Sequence, residues 1–288
     1  MAGKSWRGIL IGSVVAVVVV LGFSLRILQD RLPFQRPAAP AATLYFLRGK
    51  YLYPVSRSLD SSADAPRVSL EALLQGPKTG SGLTSAIPSG VRLLSLSVSG
   101  DLARVDLSAE FRQAEDSALA RMVVVDTLTA LPSISSVVLS VDGNTLETAP
   151  LKRVPLLHFA SDMGMMAVPT RAVDARAALD AYLAGPPESE WNGLPIDVHV
   201  TQYGFSGGIV SVRFPYTESI RSLAVARPDR MRMALLGLIT TLTEYRDVKA
   251  VRMDFDGNAQ PALESSSDLL LSIQPRPRLL NDERILGL

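Results

Sequence analysis

Few side chains in this sequence are of types that do chemistry. There are two histidines, His158 and His199, and no cysteine. The lack of cysteine excludes disulfides, thiolate metal sites and a thiol nucleophile. A metal or catalytic His pair needs a converging carboxylate or third ligand, and no fixed spacing here supplies one. His158 is read as a structural histidine in a strand and His199 as a residue on the polar face of another. Glu188 and Glu190 sit in a loop beside Trp191, and wall-degrading glycosidases use two carboxylates at a fixed separation. Two acids two residues apart in a loop are more simply read as solvated.

Asp142 and Asp256 each open an Asp-Gly-Asn run. Calcium loops need several oxygen ligands at regular spacing, whereas Asp and Asn stabilise turns through their own backbone. Gly76-Pro77 and Gly185-Pro186 follow a helix, while a phosphate loop precedes one. Ser206-Gly207-Gly208 reads as a hairpin turn, and no Gly-x-Ser-x-Gly elbow is present. Met163, Met165 and Met166 form an apolar cluster suited to a core or hairpin. Arg276 and Arg278 lie in a Pro/Arg-rich tail, where two charges add little affinity for lipid or a partner. The residues thus define no catalytic, cofactor-binding or metal site. The chain reads as a non-enzyme without cofactors.

The elements that must position these residues repeat. Leu74-Gln75-Gly76-Pro77 recurs as Leu183-Ala184-Gly185-Pro186, Thr127-Leu128-Thr129 as Thr241-Leu242-Thr243, and Val141-Asp142-Gly143-Asn144 as Phe255-Asp256-Gly257-Asn258. Between them Ile87-Pro88 matches Leu194-Pro195 and Val105 matches Val212. Five matches in one order indicate two copies of one module. Each copy reads β-β-α-β-β-α-β. In the first, strands are expected over Thr43 to Leu47 and Tyr51 to Leu59, then a helix from Pro66 to Leu74. A hairpin of Val91 to Val98 and Leu102 to Leu107 turns on Ser99-Gly100-Asp101. A long helix from Ser117 to Leu131 carries an apolar stripe at Ala120, Val123, Val124, Thr127 and Leu128. Val137 to Val141 closes the copy, as Ala250 to Phe255 closes the second. This pattern is α+β, and two similar lobes in close contact are expected. In the tail, Leu269 to Ile273 is expected to add an edge strand.

The ends bear on location. Residues 8–25 contain no charged residue. As a helix they would span about 27 Å, near the roughly 30 Å hydrocarbon thickness. The run is longer than a cleaved h-region and lacks an adjacent small-residue cleavage site, which favours a permanent signal anchor over a signal peptide. The predicted organisation is a cytoplasmic N-terminus (1–7), a single transmembrane anchor (8–25), a Pro/Ala-rich stalk (26–42), two domains (43–150 and 151–263) and a tail (264–288). The domains are expected outside the cytoplasm. The net charge of +1 gives no bulk attraction to nucleic acid.

The run Leu70 to Pro77, then Leu83 to Gly90, then Leu102 to Phe111 with its Val105-Asp106-Leu107-Ser108 core, resembles the GerMN domain. So does the long helix followed by Val141-Asp142-Gly143. The second copy is similar more loosely, keeping Gly185-Pro186 and Asp256-Gly257 but reading Val212-Arg213-Phe214-Pro215 at the core. Tandem copies behind a membrane signal resemble the GerM sporulation and germination proteins. The resemblance implies a ring-building-motif-like fold and a non-catalytic scaffold role in the cell envelope, acting in sporulation or spore germination. It also implies partners among envelope or sporulation proteins, or a homo-oligomer within an envelope-spanning complex. The alternative is a peptidoglycan-binding or wall-modifying accessory protein. Family members are often lipoproteins; with no Cys to lipidate, residues 8–25 would take over that anchoring.

Overall fold

The computed structural model describes residues 41–58, 64–257, 262–277 and 280–282. The expected anchor, the stalk up to Pro40, Asn258 and Arg278 lie outside them. Among the described residues no helix is long and apolar enough to cross a membrane.

The first copy begins with the hairpin β1 (Ala41–Arg48) and β2 (Tyr51–Ser58), followed by α1 (Ala65–Leu74). The strands β3 (Leu93–Ser99) and β4 (Leu102–Leu107) precede α2 (Ser117–Thr129) and β5 (Ser136–Val141). Two short strands, β6 (Asn144–Thr145) and β7 (Leu151–Lys152), add to β5. The second copy repeats the order with β8 (Leu156–Ser161), β9 (Gly164–Pro169), α3 (Ala175–Leu183), β10 (Gln202–Ser206) and β11 (Ile209–Phe214). It then departs from the expected plan. Two helices, α4 (Glu218–Ala226) and α5 (Pro228–Leu242), precede β12 (Ala250–Phe255). The first copy has only a short 3-10 turn, Ala109–Gln113, in place of α4. Thr217 caps α4 by accepting from the Ile220 amide, and Pro228 starts a new helix where α4 stops.

The repeat extends to hydrogen-bond register. In the first copy β4 runs parallel to β5 from Leu102↔Ser136 to Leu107↔Val141. In the second β11 runs parallel to β12 from Ile209↔Ala250 to Phe214↔Phe255. Each strand pair is closed at both ends by matching bonds. The amides of Ser135 and Ser136 donate to Asp101 O, and those of Lys249 and Ala250 donate to Gly208 O. At the other end Asp142 N donates to Leu107 O and Asp256 N to Phe214 O. The matching Gly76 and Gly185, at φ +83° and +96°, end α1 and α3 in the left-handed conformation that favours glycine.

The two copies do not stay apart as lobes. Their first hairpins merge into one four-stranded sheet of order β1-β2-β9-β8, and from Ala41 on the chain is one compact unit. Even the outer strands of this sheet are buried at successive positions, with Leu44, Tyr45 and Phe46 in β1 and the run Leu156 to Ala160 in β8. Continuous burial means that both faces of this sheet are covered. Helix α2 packs on β1 and α5 on β8. Helix α5 crosses β8 closely, since a Cβ on Gly237 would sit 2.5 Å from His158 O.

At the seam, β2 and β9 pair directly only at Leu52↔Ala167. The position related by the repeat would pair Pro54 with Met165, but Pro54 has no amide hydrogen to offer. The buried Asn281 carboxamide stands there instead. Its Nδ2 donates to Pro54 O at 2.7 Å and Met165 O at 2.8 Å, and its Oδ1 accepts from Met165 N at 2.7 Å. The backbone follows: Ser56 N donates to Asn281 O and Leu280 N to Ser56 Oγ. The tail reaches this seam by a route the sequence pattern did not suggest. Leu269 to Ile273 is not a strand. Ser267–Leu270 forms a helical turn, α6, and the edge strand β13 comes later, at Gln274–Pro275 beside β12. Leu269 is buried, and Asp268 is held by Arg232 at 2.5 and 2.8 Å, which fixes the helical turn.

Replacing Asn281 by Ala leaves three backbone groups at the seam without partners. The expected cost is about 3–9 kcal/mol of unfolding free energy, at roughly 1–3 kcal/mol for each of the three buried groups left unsatisfied, read as a shift in urea midpoint without a change in m-value.

Candidate functional site

The buried ionisable groups meet where the two copies join. Glu244 follows α5 and its side chain has no solvent exposure. His158 on β8 hydrogen-bonds it through Nε2 at 2.8 Å. Arg276 from the tail donates to Oε1 at 2.5 Å and also to Thr243 O at 3.2 Å. Arg153, in the segment entering the second copy, forms an ion pair with Oε2 at 2.7 Å, at an angle too poor for a hydrogen bond. Arg153 also donates to the Tyr45 hydroxyl and lies over its ring, 5.5 Å from the centroid. Tyr45 occupies in β1 the place His158 occupies in β8. The cluster therefore ties β1, β8, the connection between copies, the end of α5 and the tail to one carboxylate.

Its electrostatics follow from burial opposed by pairing. Burial alone would push the Glu244 carboxyl up; the Arg153 and Arg276 guanidiniums and His158 outweigh it and hold the carboxyl well below the usual range. Burial lowers the His158 pKa despite the Glu244 carboxylate, so the imidazole is neutral near pH 7. With Glu244 ionised, the proton belongs on Nε2, and the buried Nδ1 has no partner among the described residues. The Tyr45 hydroxyl is pushed up by burial.

Asp126 on α2 borders this cluster and behaves differently. Burial pushes its carboxyl up to about 7, against the field of Arg153. The Val154 amide lies near enough to favour ionisation without forming a hydrogen bond. Neither carboxylate oxygen has a hydrogen-bond partner among the described residues.

The residues singled out from sequence separate. His158 is a buried structural histidine, whereas His199 is exposed in the loop before β10, not on a strand, because the hairpin starts only at Gln202. Glu188 accepts from the Tyr51 hydroxyl and pairs with Lys50 Nζ at 3.2 Å, while Trp191 packs edge-on to Tyr51 with ring centroids 4.6 Å apart. This contact fastens the first copy's hairpin to a loop of the second; Glu190 is exposed. Asp142 takes φ +54° in a turn where the Gly143 amide donates to Asp106 at 3.0 Å, and Asp256 pairs with Arg213 at 3.7 Å. Ser206-Gly207-Gly208 makes the β10–β11 turn. Met165 and Met166 are buried in β9, and the exposed Met163 accepts from Arg48 Nη2. Among the described residues no group of three or more His, Asp or Glu could hold a metal ion.

Sequence reasoning passed over Glu244, Arg153 and Asp126, and gave Arg276 an outward role. One signal was available. Asp126 and Glu244 interrupt otherwise apolar helix stripes, and charges in such stripes are buried only when paired.

Glu244→Ala would leave the largely buried Arg153 and the partly exposed Arg276 without their carboxylate, and is expected to cost at most about 3–5 kcal/mol in chemical denaturation, the range for breaking a fully buried pair. Asp126 gives a signed pH test. A carboxyl with a raised folded pKa binds more protons folded than unfolded, so its contribution declines as pH rises from the unfolded value near 4 to about 7. Asp126→Asn removes that decline. The variant should therefore gain on the wild type, by on the order of 2–4 kcal/mol, between pH of about 4.5 and about 7.5 in paired urea titrations. A constant difference across that window would show that Asp126 does not titrate as described.

Residues 43–147 match the family model described as Germane: Sporulation and spore germination. No curated protein matches the sequence. Among solved structures, the tandem GerMN domains of the sporulation protein GerM from Bacillus subtilis align with a TM-score of 0.63 at 18% identity, covering 84% of this chain and 98% of that one. The first GerMN domain of the same protein matches at 23% identity over 39% of this chain and 90% of that one, with a TM-score of 0.33. A putative lipoprotein from Clostridium perfringens matches at 22% identity over 39% and 87% of the two chains, with a TM-score of 0.29. Residues 43–147 thus match the Germane family model, and the chain has the fold of tandem GerMN domains, with two such modules sharing one central sheet.

Proposed function

We propose that this chain is a non-catalytic scaffold of the cell envelope that acts in sporulation or spore germination, held at the membrane by residues 8–25 with its tandem domains outside the cytoplasm. The observation that carries this reading is the match of residues 43–147 to a sporulation and germination family, together with the tandem fold. The use of the ionisable residues supports it. Glu244, Arg153, His158 and Arg276 join the two copies, and Glu188 does the same at the Tyr51–Trp191 contact. A chain that commits its buried charges to joining modules presents a stiff body of fixed shape, which suits a scaffold.

The outer edges supply surfaces for partners. Strands β3 and β10 are the terminal strands of the two flanking sheets. Val98 and Phe205 occupy equivalent places on them and are 42% and 46% exposed. An edge strand with unpaired backbone groups and exposed apolar side chains is a surface for strand addition.

A photo-reactive residue placed at Val98 or at Phe205 in the full-length chain, expressed in sporulating cells, should capture a protein partner, another copy of the chain included. The same residue at Met163, exposed at the β8–β9 turn of the central sheet, should not. Absence of adducts from both edges, with the protein retained instead on purified sacculi, would replace the scaffold reading with wall binding.

A further inference from the structure

The outer face of the second flanking sheet carries an open hollow of about 230 Å³ that crosses its three long strands, from Gln202 and Gly204 on β10 to Arg252 and Asp254 on β12. Strand register explains its shape. One rung of the sheet runs Gly204, Ser211, Arg252, and the next runs Gln202, Arg213, Asp254. Residues two apart on a strand share a face, so both rungs point to the same side. On the first rung the residue at the free edge has no side chain and the next has a short one. Gly204 and Ser211 thus floor a trough that opens at the edge of β10 and ends at Arg252, with the second rung as one wall.

The charges along this trough are unequally used. Arg213 is held by Asp254 at 3.1 Å and lies 3.7 Å from Asp256. The other oxygen of Asp254 accepts from the Phe255 amide at 2.9 Å. Arg252 is exposed and makes no hydrogen bond or ion pair with another described residue. In the first copy the equivalent rung is Ser97, Arg104 and Val138, and Arg104 is likewise exposed and without a partner among the described residues. The free arginine has moved by one strand between the copies, yet each rung keeps one.

We propose that the β10 edge takes a particular kind of polypeptide strand, one with a glutamate opposite Gly204 and apolar residues on either side of it, the glutamate lying along the trough to meet Arg252. This rests on the strand addition proposed above and names what that edge selects. The added strand lies three strand spacings, about 14 Å, from β12. Glutamate and arginine side chains laid end to end over Gly204 and Ser211 cover that distance, and a guanidinium fork matches a carboxylate. The neighbours of the glutamate point to the opposite face, where the exposed Phe205 offers them apolar contact. Asp254, which also lines the hollow, is already neutralised by Arg213 and does not oppose the acid.

The test uses the full-length chain in lipid nanodiscs with ¹⁵N-labelled tyrosine, phenylalanine and arginine. The probes are acetyl-Thr-Val-Glu-Val-Thr-amide and the same peptide with glutamine in place of glutamate. Both should shift the amide resonances of Tyr203 and Phe205 saturably, the glutamate peptide with about three- to fivefold higher affinity at low salt, as for an exposed ion pair. Added salt should shrink that difference, and only the glutamate peptide should shift Arg252 Nε. Two variants, Arg252→Gln and Gly204→Val, should bind both peptides alike, as the wild type binds the glutamine peptide. The second fills the trough at a place where an added Cβ meets nothing within 4 Å. Equal affinity of the two peptides for the wild type, or a preference that survives both substitutions, would overturn the assignment and leave strand addition at this edge standing. No shift at Tyr203 or Phe205 with either peptide would overturn both. A single blocked glutamate, acetyl-Glu-amide, binding as tightly as the pentapeptide would replace the strand by a free carboxylate.

Discussion

A carboxylate with no access to water must find its partners inside the protein, and Glu244 finds two guanidiniums and a neutral imidazole on three separate parts of the chain. Arg153 comes from the connection between copies, His158 from the central sheet and Arg276 from the tail. Two guanidiniums against one ionised carboxylate leave a positive excess, into whose field Asp126 projects from α2. All three partners depend on the Glu244 carboxylate, whose removal would leave both guanidiniums without their counter-charge. This shared dependence makes two duplicated modules behave as one unit. It also ties the last part of the chain to the end of α5.

The central sheet shows how duplication and asymmetry combine. The two hairpins, each with its own helices, meet at β2 and β9 and pair directly at one residue pair. Perfect repetition would extend the ladder, but Pro54 removes a donor where the extension would run. The Asn281 carboxamide, with a donor and an acceptor on one small plane, substitutes for the missing peptide group. The tail thus completes the sheet at Asn281 and the charge cluster at Arg276. Gly164 beside this seam has no room for a Cβ, which would lie 2.5 Å from Asn281 Oδ1 and from Tyr53 Oη.

The flanking sheets keep the repeat more faithfully, down to matching closing bonds at Asp101 and Gly208 and at Leu107 and Phe214. Drift is concentrated elsewhere. The second copy inserts α4, brings α5 against β8 through Gly237, and has Thr240 where the first copy has Asp126. Preserved sheets with divergent seams are what a scaffold needs if its architecture is constrained while its joints and clefts specialise.

The amino-acid sequence alone determined the order of the main elements of the first copy and, apart from α4, of the second. It located β4, β5 and β12 to within a residue, and the turns at Gly76 and Asp142, because these rest on local signals: alternation, helical stripes, and residues tolerant of left-handed backbone. It could not show that α4 exists, since the two copies were read as alike, nor that the tail strand lies at Gln274–Pro275 rather than Leu269 to Ile273. The junction was illegible for a further reason. Arg153 and His158 are near neighbours in sequence, but Glu244 and Arg276 come from distant parts of the chain, and their pairing depends on which strands become neighbours. Only the tertiary structure decided that two hairpins share a sheet, that a tail arginine is a counter-charge to Glu244, and that an aspartate on an apolar helix is buried within reach of that cluster. Such contacts are selected by the cost of burying charge without a partner, a quantity that no local pattern encodes.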